Sequence, residues 1–189
     1  MRTEWIVVGV LVAIVLIAIM LFNRLVRQRN VVREGWSGID VQLRRRTDLV
    51  PNLVEAVKGY AAHERTVFEE VTQRRAGSIA ASDVVGQAAA EKALNGSLGR
   101  LMAVAEAYPQ LKADKNFLEL QQQLTEIEDQ IQMARRYYNG AVRNLNISIQ
   151  SFPELIVAKI LGFKEEPFFE LEDRAQAAAP QVSFPAGRS

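Results

Sequence analysis

Between Trp5 and Phe22 the chain reads WIVVGVLVAIVLIAIMLF, 18 residues without a charge. No other feature restricts the fold as strongly. A helix of roughly 17–25 apolar residues is what a bilayer core accommodates, so such a run is either held in lipid or removed. Removal as a secretory signal requires a shorter apolar stretch followed by small residues at a cleavage site. This run closes on Ile19-Met20-Leu21-Phe22-Asn23, which is bulky. A retained transmembrane anchor is therefore expected over residues 5–22, after a short flank at 1–4. Trp5 stands where an interfacial aromatic belongs.

The flanks set an expected orientation. Arg2 and Glu4 precede the run, whereas Arg24, Arg27, Arg29 and Arg33 follow it. Arginine-rich flanks stay on the cytoplasmic side. The expectation is a single-pass protein of the cell (inner) membrane, N-terminus outside and the remaining domain in the cytoplasm. Trp5, Arg24 and Arg27 are the expected membrane-interface residues, with lipid as the first partner.

Beyond the anchor the sequence reads as helix. Aromatics make up only 7% of the chain, and plentiful Ala, Leu, Gln and Glu favour helices. The chain has no cysteine, which excludes disulfides and thiolate metal sites. The series Val32, Trp36, Ile39, Leu43, Arg46, Val50, Leu53, Val57, Tyr60, Glu64, Val67, Val71 is spaced alternately by four and three, the stripe of one packed helix face. It crosses Pro51 without a change of phase. One long first helix over residues 32–76 is expected, kinked or loosened near Arg46–Val50, with Thr47 or Asp48 capping a restart and Pro51 as a hinge.

Small residues at 76–87 form the first soft connection, with Asp83 as cap of a second helix near 83–107. That helix carries Leu94, Leu98 and Leu101, and Gly and Ser at 95–99 lower its propensity or admit close packing. Pro109 ends it, and Asp114 caps a third helix of about 35 residues. There Phe117, Leu124, Ile131, Tyr138, Leu145 and Phe152 recur every seven positions. Pro153 opens a short fourth helix, ELIVAKILGF, closed by Gly162. The expected fold is all-α: a transmembrane helix, then an antiparallel up-down bundle over 23–163 of three long helices and a short fourth. Residues 164–189 read as a largely flexible acidic tail, its start pinned by Phe163, Phe168 and Phe169.

The motifs of chemistry are absent. His63 is the one histidine, and there is no HExxH, no Glu-x-x-His pair, no phosphate loop and no nucleophile elbow. Glu126 and Asp129, three apart, read as a solvated helix face before they read as a cation site. No cofactor, metal or small-molecule substrate is expected. Nucleic acid is not expected either. Residues 23–80 carry 11 basic against 7 acidic side chains, but residues 81–189 carry 11 against 14, and the basic half adjoins the membrane.

The triplet Arg44-Arg45-Arg46 lies too far out for lipid. Arg45 is on the order of 35 Å beyond Phe22 along a helix, several screening lengths away. Two readings stand for it. Arg46, on the packing stripe, snorkels from the bundle edge; or all three arginines contact another helix or another protein.

Longer stretches carry a resemblance. VQLRRRTDLVPNLVEAVKGYAAHE, AEAYPQLKADKNFLELQQQLTEIEDQIQMARRYYNGAVRNLN, SFPELIVAKILGFKEEPFF and a closing PQVSF together resemble the LemA family from about Asn30 to Phe184. Gly35 before Trp36 departs from the Ala common there. The resemblance implies a membrane-anchored antiparallel bundle with a very long first helix. It implies no enzymatic activity. Some members are associated with magnetosome membrane formation, and members often accompany membrane proteases of the HtpX type. Its motif residues, here Arg44, Arg45, Asp48, Pro51, Tyr108, Pro109, Asn116, Arg135, Tyr138 and Asn139, contain no catalytic set.

Three functions follow for testing. The first is a non-enzymatic scaffold or interaction module in membrane organisation, binding a protein partner or itself through helical faces. The second is a membrane-tethered sensor or signalling adaptor hinged at Pro51 and linked to a membrane protease. The third, a hydrolase or metalloenzyme, has no motif behind it.

Overall fold

The computed structural model describes residues 2–170, with Arg2 described in backbone only. Six helices follow in order: α1 (Arg2–Lys58), α2 (Arg65–Ala80), α3 (Val84–Glu106), α4 (Pro109–Lys112), α5 (Lys115–Gln150) and α6 (Glu154–Leu161). Every regular element among the described residues is a helix, with a long apolar N-terminal helix leading into a bundle.

α1 is one uninterrupted helix of 57 residues, on the order of 85 Å long. Residues 3–20 are exposed along their whole length. The segment is long and apolar enough to cross a membrane. The bundle begins one turn later, where Leu25 is fully buried. No linker separates the two parts.

α5 lies antiparallel along α1, and four contacts fix the register. Gln28 donates to Ser148 at 2.9 Å. Gly35 faces Tyr138, Arg46 reaches Glu128 at 2.8 Å, and the Tyr60 hydroxyl bonds Asp114 at 3.3 Å. The two helices approach closely at Gly35. A Cβ there would stand 3.0 Å from the Tyr138 Cα and 3.2 Å from the Tyr137 ring. The absent side chain lets the two helices meet without either giving way.

The expected first helix ends early. The stripe is buried from Val32 to Val57 as anticipated, Trp36 only partly. The chain then turns over residues 59–64, and α2 runs back along α1 instead of prolonging it. Phe68 and Val71 thereby pack on Val50, Leu53 and Val57; a straight rod would have left them in solvent. Arg75 ends up beside Thr47. The bundle thus has four substantial helices, α1, α2, α3 and α5, plus the short α4 and α6.

The caps follow the sequence. Asp83 accepts from the Gly86 N–H and Asp114 from the Phe117 N–H. Gly162, at φ 70°, closes α6 in the left-handed region. Two other expectations differ. Gly96 and Gly99 face open space, so of the small residues there only Ser97, fully buried, serves packing. Phe152 lies past the end of α5 and is 80% exposed.

After α6 the chain becomes an extended strap along α5. Asn146 grips Glu166 twice: its side-chain N–H donates to the Glu166 carbonyl and its oxygen accepts from the Glu166 N–H, both at 2.9 Å. Asn139 grips Phe169 in the same way, at 3.1 and 2.9 Å. Seven residues of helix and three of extended chain both advance about 10 Å, so the two clamps match in spacing. The Tyr138 hydroxyl donates to the Pro167 carbonyl at 2.8 Å. Phe169 is fully buried against Trp36, with ring centroids 5.7 Å apart. Residues 164–170, expected to belong to a flexible tail, are therefore held by polar side chains. Phe168 stays partly exposed and is not a pin. Residues 171–189 lie outside the described residues.

Candidate interaction site

The arginine triplet divides between interior and surface. Successive residues on a helix point about 100° apart, so three adjacent arginines cannot share one face. Arg46 is fully buried. Its guanidinium meets Glu91, donates to Asn95 at 2.6 Å and reaches Glu128 at 2.8 Å. Ser78 and Gln87 hold the second oxygen of Glu91, Gln87 at 2.7 Å. Gln132 supports Glu128 at 3.2 Å. All four substantial helices contribute to this cluster, which sits between two apolar cores. Arg46 neither snorkels nor faces outward; its partners are α3 and α5.

Burial lowers the Arg46 pKa, and the charge of Glu128 and its hydrogen bond oppose that shift. An arginine remains charged in any case. The cluster is therefore a charged pair with a half-exposed second carboxylate, held away from water by apolar layers on either side. Such a pair gives little net stability over an apolar filling, but removing one partner leaves a buried charge alone.

Arg44 is 76% exposed in its side chain and pairs with Asp40 one turn earlier, at 3.0 Å. Arg45 lines an open groove of about 980 Å³ between α1 and α5. Asp48 and Asn52 flank it on α1. Glu126, Asp129, Gln130 and Met133 form the α5 wall. The groove is polar and open, suited to a protein side chain or a helix edge rather than to an enclosed small molecule. Among the described residues, no group of three or more His, Asp or Glu is placed to hold a metal ion.

Pro51 lies inside α1, exposed, with helix on both sides. Lacking an N–H, it leaves the carbonyl four residues earlier without its helical partner. That carbonyl belongs to Thr47, and the Arg75 Nε of α2 donates to it at 2.6 Å. No restart cap is formed: the Thr47 hydroxyl bonds back to the Arg44 carbonyl at 2.8 Å. The proline is thus splinted from outside its own helix.

Toward the apolar end, Arg24 donates to Glu154 of α6 at 2.6 Å. Arg27 is exposed and shares a shallow cleft with Arg24 and Ser148. Trp5 is 76% exposed on the free part of α1.

Sequence reading did not find Ser78, Glu91, Asn95 or Glu128 as partners of Arg46, nor Arg75 as the splint. A signal was present for one of them. Glu91 lies three and seven residues before Leu94 and Leu98, so it occupies the apolar stripe of α3 as Arg46 does on α1. Opposite charges at two core positions are candidates for one buried pair.

A single long helix feeding an antiparallel bundle, with a buried ionic cluster at its middle, defines a helical-bundle class of protein on an apolar stalk. Residues 35–184 match the LemA family, and the chain belongs to it. It is 29% identical to magnetosome protein MamQ 2 of Paramagnetospirillum magneticum, covering 87% of this chain and 71% of that protein. It is 28% identical to magnetosome protein MamQ of Magnetospirillum gryphiswaldense, covering 84% and 68%. Protein LemA of Metamycoplasma hominis is 26% identical, covering 80% and 69%.

Proposed function

We propose that the protein is a non-enzymatic, membrane-anchored scaffold that holds a helical interaction surface away from the bilayer and serves membrane organisation. The carrying observation is the unbroken α1, whose exposed apolar part and buried stripe form one helix. A rod without a linker fixes the height and direction of what it carries. Residues 5–22 span the cell membrane, with the N-terminus outside and the bundle in the cytoplasm. Relatives named for the magnetosome support a membrane setting. The partner surface is the groove beside Arg45 together with the exposed Arg44, and its occupant is another protein or a second copy of this chain.

The test is cross-linking in intact membranes of the full chain and of the double variant Arg44→Glu with Arg45→Glu. Loss of a defined adduct with unchanged helicity supports the reading. An unchanged adduct pattern rejects this surface. A second reading, a tethered sensor or adaptor linked to a membrane protease, draws on the splint. Pro51 is a place where α1 can bend once Arg75 lets go. If Arg75→Ala and Pro51→Ala both leave every adduct and phenotype unchanged, the hinge has no role.

A further inference from the structure

Helix α6 leaves an apolar face uncovered, and its position in the fold indicates what covers it. Glu154, Val157 and Ala158 face the bundle and are buried. On the opposite side Ile156 is 51% and Ile160 76% exposed, and Phe152, just before the helix, is 80% exposed. These three fall four residues apart, the spacing of one helical stripe. Eight residues rarely leave so much large apolar surface to water.

The level of α6 along α1 is fixed at both of its ends. Glu154 pairs with Arg24 at 2.6 Å. Phe163, just past the C-terminus, sets its ring edge-on to Phe22 with centroids 6.1 Å apart. The Arg29 guanidinium also lies over the Phe163 ring, 5.0 Å from its centroid. Both ends of α6 therefore sit beside residues 22–29 of α1, just past the apolar run. Residues 3–20 of α1 are exposed throughout, so α6 does not descend beside the apolar run. It closes the end of the bundle where that run begins.

We propose that α6 is a second membrane contact: it lies in the interface of the bilayer that α1 crosses, with Phe152, Ile156 and Ile160 entering the acyl boundary. This rests on the membrane-spanning reading of residues 5–22. An interfacial helix buries its apolar face about 5–10 Å into the headgroup and acyl boundary. Lys159, exposed on α6, can extend its ammonium to the headgroups while its stem stays in the apolar layer. The Arg24–Glu154 pair then locks the interfacial helix to the spanning one. Two contacts, one through the bilayer and one along it, hold the rod at a fixed angle to the membrane, which a single spanning helix cannot do.

The chain has no cysteine, so single-cysteine labelling is direct. Three full-length variants, Ile160→Cys, Val12→Cys and Val41→Cys, are labelled with a polarity-sensitive fluorophore and reconstituted into phosphatidylcholine–phosphatidylglycerol vesicles. Some of the lipids carry a nitroxide near the top of the acyl chain. The expected result is a blue-shifted label at position 160 that loses about half its emission or more to the nitroxide lipids, as an interfacial depth requires. The label at 12 should be blue-shifted and quenched by a nitroxide deep in the chain, and the label at 41 unquenched. Quenching at 12 without quenching at 160 overturns the interfacial helix and leaves the anchor intact. A label at 160 that is blue-shifted but unquenched means that protein covers the face, and also overturns it. No quenching at 12 removes the anchor and this proposal with it. The further variant Ile156→Ser, in the Ile160→Cys background, should reduce the quenching at 160 while circular dichroism stays unchanged.

Discussion

The bundle has two cores of different construction. The near core, next to the apolar run, joins α1 to α5, α6 and the strap through Leu25, Val32, Ile39, Tyr138, Leu145 and Phe169. The far core joins α1 to α2, α3, α4 and α5 through Leu49, Leu53, Phe68, Leu94, Leu101 and Phe117. The far core needs only amphipathic helices folded back by short turns. The near core rests on two long helices, with only the start of α3 reaching it through Val84 and Ala88. It completes itself with an extended segment, whose backbone groups demand partners that a helix would have satisfied internally. Asn139, Asn146 and Tyr138 supply them. Where helices run out, polar side chains substitute for missing secondary structure. The cluster around Arg46 lies where the two cores meet.

Breaking that junction should have the largest effect. Arg46→Met leaves the buried Glu91 uncompensated and should cost about 3–5 kcal/mol, read by urea unfolding in mild detergent. Adding Glu91→Leu should recover much of the loss, because an apolar pair of similar volume is often neutral or better. If the double variant is as unstable as the single one, the cluster is not an isolated ionic unit.

Alkaline pH should attack the near core selectively. Burial pushes the Tyr138 pKa up to about 12, and the charge of Glu166 adds to the shift. Between about pH 10 and 12 the unfolded chain releases this proton while the folded one keeps it. Stability present below pH 10 is therefore lost as pH rises through the folded value. The loss is about 2–3 kcal/mol at 1.36 kcal/mol per pKa unit. Tyr138→Phe should remove that portion of the alkaline slope.

A smaller change should separate the strap from the rest. Asn146→Ala leaves the Glu166 N–H and carbonyl without partners and should cost about 1–3 kcal/mol. Hydrogen exchange should quicken over residues 163–170 and stay unchanged in α2 and α3. Equal acceleration in both halves would mean that the cores are one cooperative unit. The mildest change is at the splint. Arg75→Ala should cost about 1–2 kcal/mol by orphaning the Thr47 carbonyl. The cost should shrink in a Pro51→Ala background, where the helix supplies its own N–H.

Much of this molecule is legible before folding. The uncharged run, the stripes of α1 and α5, the Asp83 and Asp114 caps and the Gly162 terminator all act within a few residues of themselves, so the sequence displays them directly. The reversal after Lys58 was not legible. A heptad phase records which face of a helix is buried but not whether the axis continues, and here the phase carries across the turn from Val57 to Val67 and Val71. The site behaves likewise. Arg46 is marked by its stripe position, yet its partners lie 45 and 82 residues away, and only packing selects them. The remedy for Pro51 comes from Arg75, and the order of residues 164–170 from asparagines on another element. By itself the sequence determined helix, the long apolar run and which faces are apolar, because those depend on local hydrogen bonding and spacing. The tertiary structure alone decided direction, pairing and the partners of polar groups, because desolvation forces each buried polar atom to take whatever complement the fold brings near.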